Sequence, residues 1–467
     1  MAKSGKETIA LVATLLVTVG VAGGGAWFFL KGSGNDPKGS NSGQNFGLNL
    51  GASSVAISSG DRILITENSS PDKQAGVQAA ATGDFSSAIA KFTTSLQASR
   101  NDPETLIYLN NARIGNQPSY SIAASVPIGS NVNAAKEILR GVAQAQDEIN
   151  QAGGINGTAI KVLIADDRND PNTAQQVADA LVKNASVLGV VGNFGSDVTL
   201  AAAKVYQAGQ LVQISPTSTT VQLSGFGNYI FRTVPSDRFA ANALSRYMLR
   251  TLQKKKTAVF FNSNSTYSLS LKNEFTTAVF GDGGQVVTEF DLGSPNFNPD
   301  NSFKQSIAKG AEVLMLAPNS AVLDQALQVV AVNRRQLPLL GGDSAYTSKT
   351  LQVGGANAID LVLAVPWHLQ ADPNSQFPRN SAKLWGGDVN WRTALAYDAA
   401  KAIATGLKQS STREGLQKAL SNSSFAASGS AGDVQFQPSG DRNSAAILVK
   451  VSAGKRSGTG YDFVPVK

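Results

Sequence analysis

The sequence predicts an α/β protein made of two successive doubly wound domains, and three observations carry that reading. The stretch Asp147 to Pro171, DEINQAGGINGTAIKVLIADDRNDP, reads as a helix end, a tight turn, a buried strand and the start of another helix, with almost no joint between them. From Tyr120 onward, apolar runs of strand length alternate with amphipathic runs of helix length. The alternation then repeats as a second set after Phe231-Arg232-Thr233. Two such sets imply two parallel sheets, each offering ligand groups at the carboxyl ends of its strands, with a cleft between them.

Within the first set, Ala135 to Gln151 places Ile138, Val142, Ala145 and Ile149 on one helical face. Gly153 and Gly154 supply the left-handed residues that end the helix. Asp166 and Asp167 close the following strand, and Asp170 caps the next helix with Pro171 at its first position. Strands are predicted at Tyr120 to Val126, Ala159 to Ala165, Leu188 to Val191 and Leu211 to Ile214. The second set has strands at Thr257 to Phe261, Val286 to Phe290, Val313 to Leu316 and Pro338 to Leu340. A helix over Thr393 to Lys408 follows, then a capping box at Ser411-Thr412-Arg413-Glu414 and a strand-like end from Asp433.

The region before Pro118 is of a different kind. Thr8 to Leu30 carries no charge and, at about 1.5 Å per residue, is long enough to cross a hydrocarbon core of about 30 Å. Lys3 and Lys6 precede it, so a cleaved secretory signal is the competing reading; Trp27, Phe28 and Phe29 before Lys31 favour an uncleaved anchor. Residues 31–60 are rich in Gly, Ser and Asn and read as a flexible linker. Residues 61–117 hold a helical segment in which Gly76, Gly83, Phe85, Ala88, Phe92 and Leu96 resemble the spacing of a tetratricopeptide unit. Packing on the neighbouring domain and docking of a partner are both open to such a segment.

Composition narrows the function. Of 467 residues, 42% are hydrophobic and 16% charged, which is ordinary globular composition. The net charge of +7 is spread along the chain, with Lys254 to Lys256 as its only run, so no nucleic-acid partner is expected. With no cysteine, thiolate catalysis, disulfides and thiolate metal sites are excluded. His368 is the only histidine, no hydrolase triad, zinc motif or phosphate loop can be assembled, and Asp166 to Asp170 breaks the calcium-loop pattern at Pro171 and Asn172. The chain is therefore expected to be no enzyme and to need neither metal nor cofactor.

The order of EIN-x-AGGING, the strand ending in Asp166-Asp167, DP-x-x-A-x-x-x-A-x-x-L, VVGNFGSDVT, ISPTSTT, FRTVPSD, GGDSA and YDAAKAIATGL resembles the leucine/isoleucine/valine-binding family of type I periplasmic binding proteins, the ligand-binding subunits of amino-acid and amide ABC transporters. The resemblance covers Pro118 to the C-terminus. It implies a two-lobed clamp of two doubly wound parallel sheets joined by a three-crossing hinge. Lobe 1 would take residues 118–236 and 367–432, and lobe 2 residues 237–366 and 433–467. It further implies that Ser196, Thr217 and Thr219 contact the ligand from the first lobe, that Tyr267 closes over it, and that Asp343 takes its ammonium. Bottom-up chemistry agrees, since a free amino acid in a water-poor cleft needs a partner for each charge. Two departures open the side-chain pocket to polar amino acids, amides or urea-like compounds. No aromatic stands between Pro127 and Ala134, and Asn319-Ser320 stands where some relatives have tyrosine. The expected role is a tethered solute-binding protein of a bacterial plasma membrane. Its domain would lie on the extracytoplasmic side and present ligand to permease subunits. A ligand sensor signalling through a partner, and a scaffold that has lost its ligand, are the alternatives.

Overall fold

The alternation read from the sequence is realised twice in the computed structural model, which describes residues 55–466. The predicted span Thr8 to Leu30 and residues 31–54 of the predicted linker lie outside the described residues. Among the described residues no helix is long and apolar enough to cross a membrane.

The described residues begin with a short strand β1 (Ala56–Ser58) and three helices, α1 (Pro71–Ala81), α2 (Phe85–Ala98) and α3 (Pro103–Ile114). Each helix starts on a side-chain cap, since Ser70, Asp84 and Asp102 accept from the amides of Lys73, Ser87 and Thr105. The first set of the doubly wound part follows: β2 (Ser119–Val126), α4 (Val132–Gln151), β3 (Ala159–Asp166), α5 (Pro171–Lys183), β4 (Val187–Val191), α6 (Ser196–Ala208), β5 (Val212–Ser215) and β6 (Ile230–Arg232). The second set runs α7 (Asp237–Arg246), β7 (Lys256–Phe261), α8 (Thr266–Gly281), β8 (Gln285–Asp291), α9 (Pro299–Ala308), β9 (Val313–Ala317), α10 (Leu323–Asn333), β10 (Leu339–Gly341), α11 (Ser348–Gly354) and β11 (Val362–Val365). Helices α12 (Phe377–Trp385), α13 (Trp391–Gln409) and α14 (Arg413–Leu420) come next. Four strands close the chain: β12 (Ala427–Gly429), β13 (Gly432–Val434), β14 (Ile447–Ala453) and β15 (Tyr461–Pro465).

One sheet has the order β1-β3-β2-β4-β5-β6 and the other β15-β14-β11-β10-β9-β7-β8. In the first, β3 to β6 are parallel and β1 is antiparallel on the edge. In the second, β8 to β11 are parallel and β14 and β15 are antiparallel. In each sheet the first strand of its set, β2 or β7, lies between the second and third, so the winding reverses there. That reversal opens a crevice above the carboxyl ends of the strands. The fold is a two-lobed α/β structure, and the chain passes between lobes after β6, after β11 and before β14.

Those crossings are tied by buried charges. Arg232 donates from Nε to Asp441 at 2.6 Å, from Nη1 to the Thr220 carbonyl at 2.7 Å and from Nη2 to Ser224 at 2.8 Å. Arg442 pairs with the fully buried Asp398 at 2.5 Å, and Thr233 Oγ1 donates to the Leu395 carbonyl at 2.8 Å. Every charge here has a counter-charge, as burial in low dielectric requires.

The structure corrects three details of the sequence reading. The last residues of the predicted linker are not free chain: β1 pairs with β3, and Val55 and Ile57 are buried, a two-residue apolar signal drowned by the surrounding Gly and Ser. The cap of α14 is Thr412, not Ser411; its hydroxyl accepts from Gly415 N at 3.0 Å, and Glu414 pairs with Lys418 instead of reaching back. Helix α13 starts at Trp391, two residues earlier than expected, because Asn390 caps it through the Arg392 amide at 2.9 Å. The helical segment packs on the first lobe. Asn111 of α3 donates to the carbonyls of Ser59 and Val162, both at 2.8 Å, and accepts from Val162 N at 3.1 Å, binding the segment to β3.

Candidate ligand-binding site

The first wall of the site is the turn between β4 and α6. Ser196 is the first residue of α6, whose cap, Gly195, offers no side chain to the first-turn amides. Those amides and the helix dipole are free to meet an anion. Asn169 Oδ1 accepts from Gly195 N at 3.1 Å and holds the turn. Thr217, after β5, donates its hydroxyl to the carbonyls of Phe194 at 2.9 Å and Asn193 at 3.2 Å. Beneath this wall Asp167 accepts from Ser125 at 3.0 Å and Asn193 at 2.7 Å. Burial pushes its carboxyl up to about 6 against those hydrogen bonds.

The second wall comes from the turns after β7, β9 and β10. Tyr267 sits in the first turn of α8, which Ser265 caps. Its hydroxyl accepts from Ser344 N at 3.4 Å. Gly342 is needed for this approach, because a Cβ there would lie 2.4 Å from the Tyr267 oxygen. Asp343 follows and is buried. Burial raises its carboxyl to about 6, opposed by the Tyr267 hydrogen bond and by the charge of Arg392. Asn319 accepts from Asn262 Nδ2 at 3.0 Å, which turns the polar pair Asn319-Ser320 toward the same space.

The walls meet directly at one side. The Asp197 carboxylate, on α6, accepts from Thr266 N at 3.1 Å and from the Thr266 hydroxyl, so an acid of the first lobe caps a helix of the second. Val221 N donates to Ser270 Oγ at 3.1 Å. Beside these contacts is a cavity of ≈ 100 Å³ whose lining includes Ser196, Thr217, Tyr267 and Asp343. Thr219 is not in that lining: its carbonyl accepts from Asp237 N at 2.8 Å and its buried hydroxyl has no partner. A larger space of ≈ 650 Å³ shares Phe194, Ser320, Ser344 and Arg392 with the cavity. His368 lines this larger space, with Nε2 3.1 Å from the Phe463 carbonyl, and burial lowers its pKa to about 4.

Sequence reasoning missed Phe194, Trp391 and Arg392 in the cavity wall. The signal available for the last two was Asn390, a cap that moves the start of α13 back to include them. The Arg392 guanidinium stands 4.4 Å from the Trp391 ring centre and 5.9 Å from that of Phe194. Its Nη1 donates to Glu137 at 3.3 Å and to the Tyr346 carbonyl at 3.4 Å.

Set against known proteins, the pattern of the periplasmic binding protein family matches residues 120–456. The chain belongs to the periplasmic binding protein family. It is 24% identical to the leucine-, isoleucine-, valine-, threonine- and alanine-binding protein of Pseudomonas aeruginosa, over 69% of this chain and 89% of that one. An amino acid binding protein of the same organism is 36% identical over 144 residues, a stretch that spans 31% of this chain and 38% of the relative's length. Among solved structures, the branched-chain amino acid transporter substrate-binding protein LivJ of Streptococcus pneumoniae, in complex with isoleucine, has a TM-score of 0.64 at 20% identity, covering 74% of this chain and 100% of that one. A leucine binding protein of Thermotoga maritima has a TM-score of 0.65 at 18% identity, over 74% of this chain and 97% of that one. These structures establish the two-lobed fold. The family consists of solute-binding proteins, and the matched region begins after the helical segment.

Proposed function

We propose that this family member binds a free amino acid or a related small amide in the interlobe cavity and presents it to the permease subunits of an ABC importer. One observation carries the reading: the open N-terminus of α6 and the Asp343 carboxylate face one cavity from opposite lobes. An anion suits the first and an ammonium the second, which is the charge pattern of a zwitterion. Ser196 and Thr217 would flank the carboxylate, Asp343 would take the ammonium, and Tyr267 would close over the ligand; Thr219 would act through its contact with Asp237. Binding would proceed by hinge motion at the three crossings, with lobe limits near Ser236, Pro366 and Gly432. The amino-acid names carried by its relatives support the ligand class.

The tether is part of the same proposal. Thr8 to Leu30 would anchor the chain in a bacterial plasma membrane with the lobes on the extracytoplasmic side, and the tetratricopeptide-like segment would stiffen the first lobe near the bilayer.

Thermal unfolding of the full-length chain against amino acids, amides and urea tests the binding step. A ligand at about 100 times its Kd adds roughly 2.7 kcal/mol and raises the Tm by a few degrees. A selective shift is expected, and no shift with any compound would overturn the reading. Co-purification of permease subunits from membranes tests the importer step. Recovery of a different partner in their place would instead make the chain a sensor.

A further inference from the structure

Resting on the reading of the cavity as an amino-acid site, two donors remain that a zwitterion's backbone groups do not use. Trp391 is 2% exposed and its Nε1 has no hydrogen-bond partner; Arg392 is 5% exposed and its Nε has none either. Both residues are in the cavity wall, next to one another on the first turn of α13. A buried N–H left without an acceptor costs about 1–3 kcal/mol, so two side by side in a cavity wall call for an acceptor from outside the chain. The remaining wall has no Leu, Ile, Val or Met; its one aliphatic side chain is Ala321, and Asn169, Asn319 and Ser320 are polar. A branched aliphatic side chain could pack on Phe194 and Tyr267 but would leave both donors without an acceptor.

We infer that the ligand's side chain ends in an oxygen acceptor, a carboxylate or a carboxamide, received by Trp391 Nε1 and Arg392 Nε. The ligand class is then that of aspartate and glutamate or asparagine and glutamine, not the branched aliphatic amino acids. Arg392 is held for this task by Glu137 and the Tyr346 carbonyl, which engage Nη1 and leave Nε over. The adjoining larger space gives the longer members of the class room beyond the small cavity.

The test is calorimetric titration of the full-length chain with leucine, isoleucine and valine against glutamate, aspartate, glutamine and asparagine. At least one acceptor-ended amino acid is expected to bind about tenfold or more tightly than leucine, because a site built to hydrogen-bond a group rejects the analogue lacking it. Trp391→Phe and Arg392→Lys should each shrink that preference about fivefold; the lysine retains the charge opposite Glu137, and circular dichroism checks that each variant is folded. A preference for the acids assigns the role mainly to the Arg392 charge and one for the amides to neutral hydrogen bonding, and either supports the inference. Leucine binding as tightly as all four acceptor-ended amino acids would overturn it while leaving the amino-acid reading intact. An unchanged preference in both variants would overturn it too, and no binding of any amino acid would overturn both.

Discussion

Arg232 and Arg392 are both buried arginines, and they differ in how much of the guanidinium the chain itself satisfies. Arg232, at the crossing after β6, spends Nε, Nη1 and Nη2 on Asp441, the Thr220 carbonyl and Ser224. Arg392, in the cavity, makes only two long bonds from Nη1 and leaves Nε without a partner. The first ties the crossing together, and on the proposed reading the free Nε of the second is left for the ligand.

That contrast can be broken by mutation, and the largest effect should fall on the hinge. Arg232→Ala leaves Asp441 buried without its counter-charge and should cost about 3–5 kcal/mol in stability, read by denaturant unfolding. If the change costs less than about 1 kcal/mol, the crossings are not held by this pair. In the cavity the loss should appear in binding. Asp343→Ala strands the ligand's ammonium and should weaken amino-acid affinity by about two orders of magnitude, with calorimetry as the measurement. Unchanged affinity would remove Asp343 from the site.

A pH series sharpens the same comparison. In the folded protein Asp343 titrates at about 6, against an ordinary value of 3.8. Between those values the native state holds a proton that the unfolded chain has released, so this group's contribution to stability falls as pH rises through 6. Asp343→Asn escapes that loss, and its stability relative to the parent should therefore improve from pH 4 to pH 7. Ligand affinity of the parent should run the other way and fall below pH 6, where the carboxylate that pairs the ammonium becomes protonated. A flat stability difference across that window would contradict the assignment. The smallest expected effect is that of Tyr267→Phe. It removes one hydroxyl from the cavity wall and should reduce affinity about fivefold, the value of a single hydrogen bond.

The doubly wound architecture was legible because parallel strands buried on both faces read as short apolar runs, and because Asp170-Pro171 announces a helix start without tertiary help. The cavity was legible where a residue lies in the connection that follows a strand, as Ser196, Thr217, Tyr267 and Asp343 do. Trp391 and Arg392 reach the same cavity from a helix nearly fifty residues after Asp343, and nothing local in WRTALAYDAA says which face meets the other lobe. Thr219 shows the reverse limit: it is two residues from Thr217, yet its hydroxyl is buried outside the cavity lining. The strand β1 was hidden for another reason, since its pairing with β3 is long-range and three residues carry no readable period.

The most direct test of the amino-acid site is a crystal structure of the protein with the amino acid that gives the largest thermal shift. The account predicts the ligand between the lobes, its carboxylate on the first turn of α6 near Ser196 and its ammonium within hydrogen-bond distance of Asp343. A ligand bound elsewhere, or bound here with Asp343 free of contact, would contradict it.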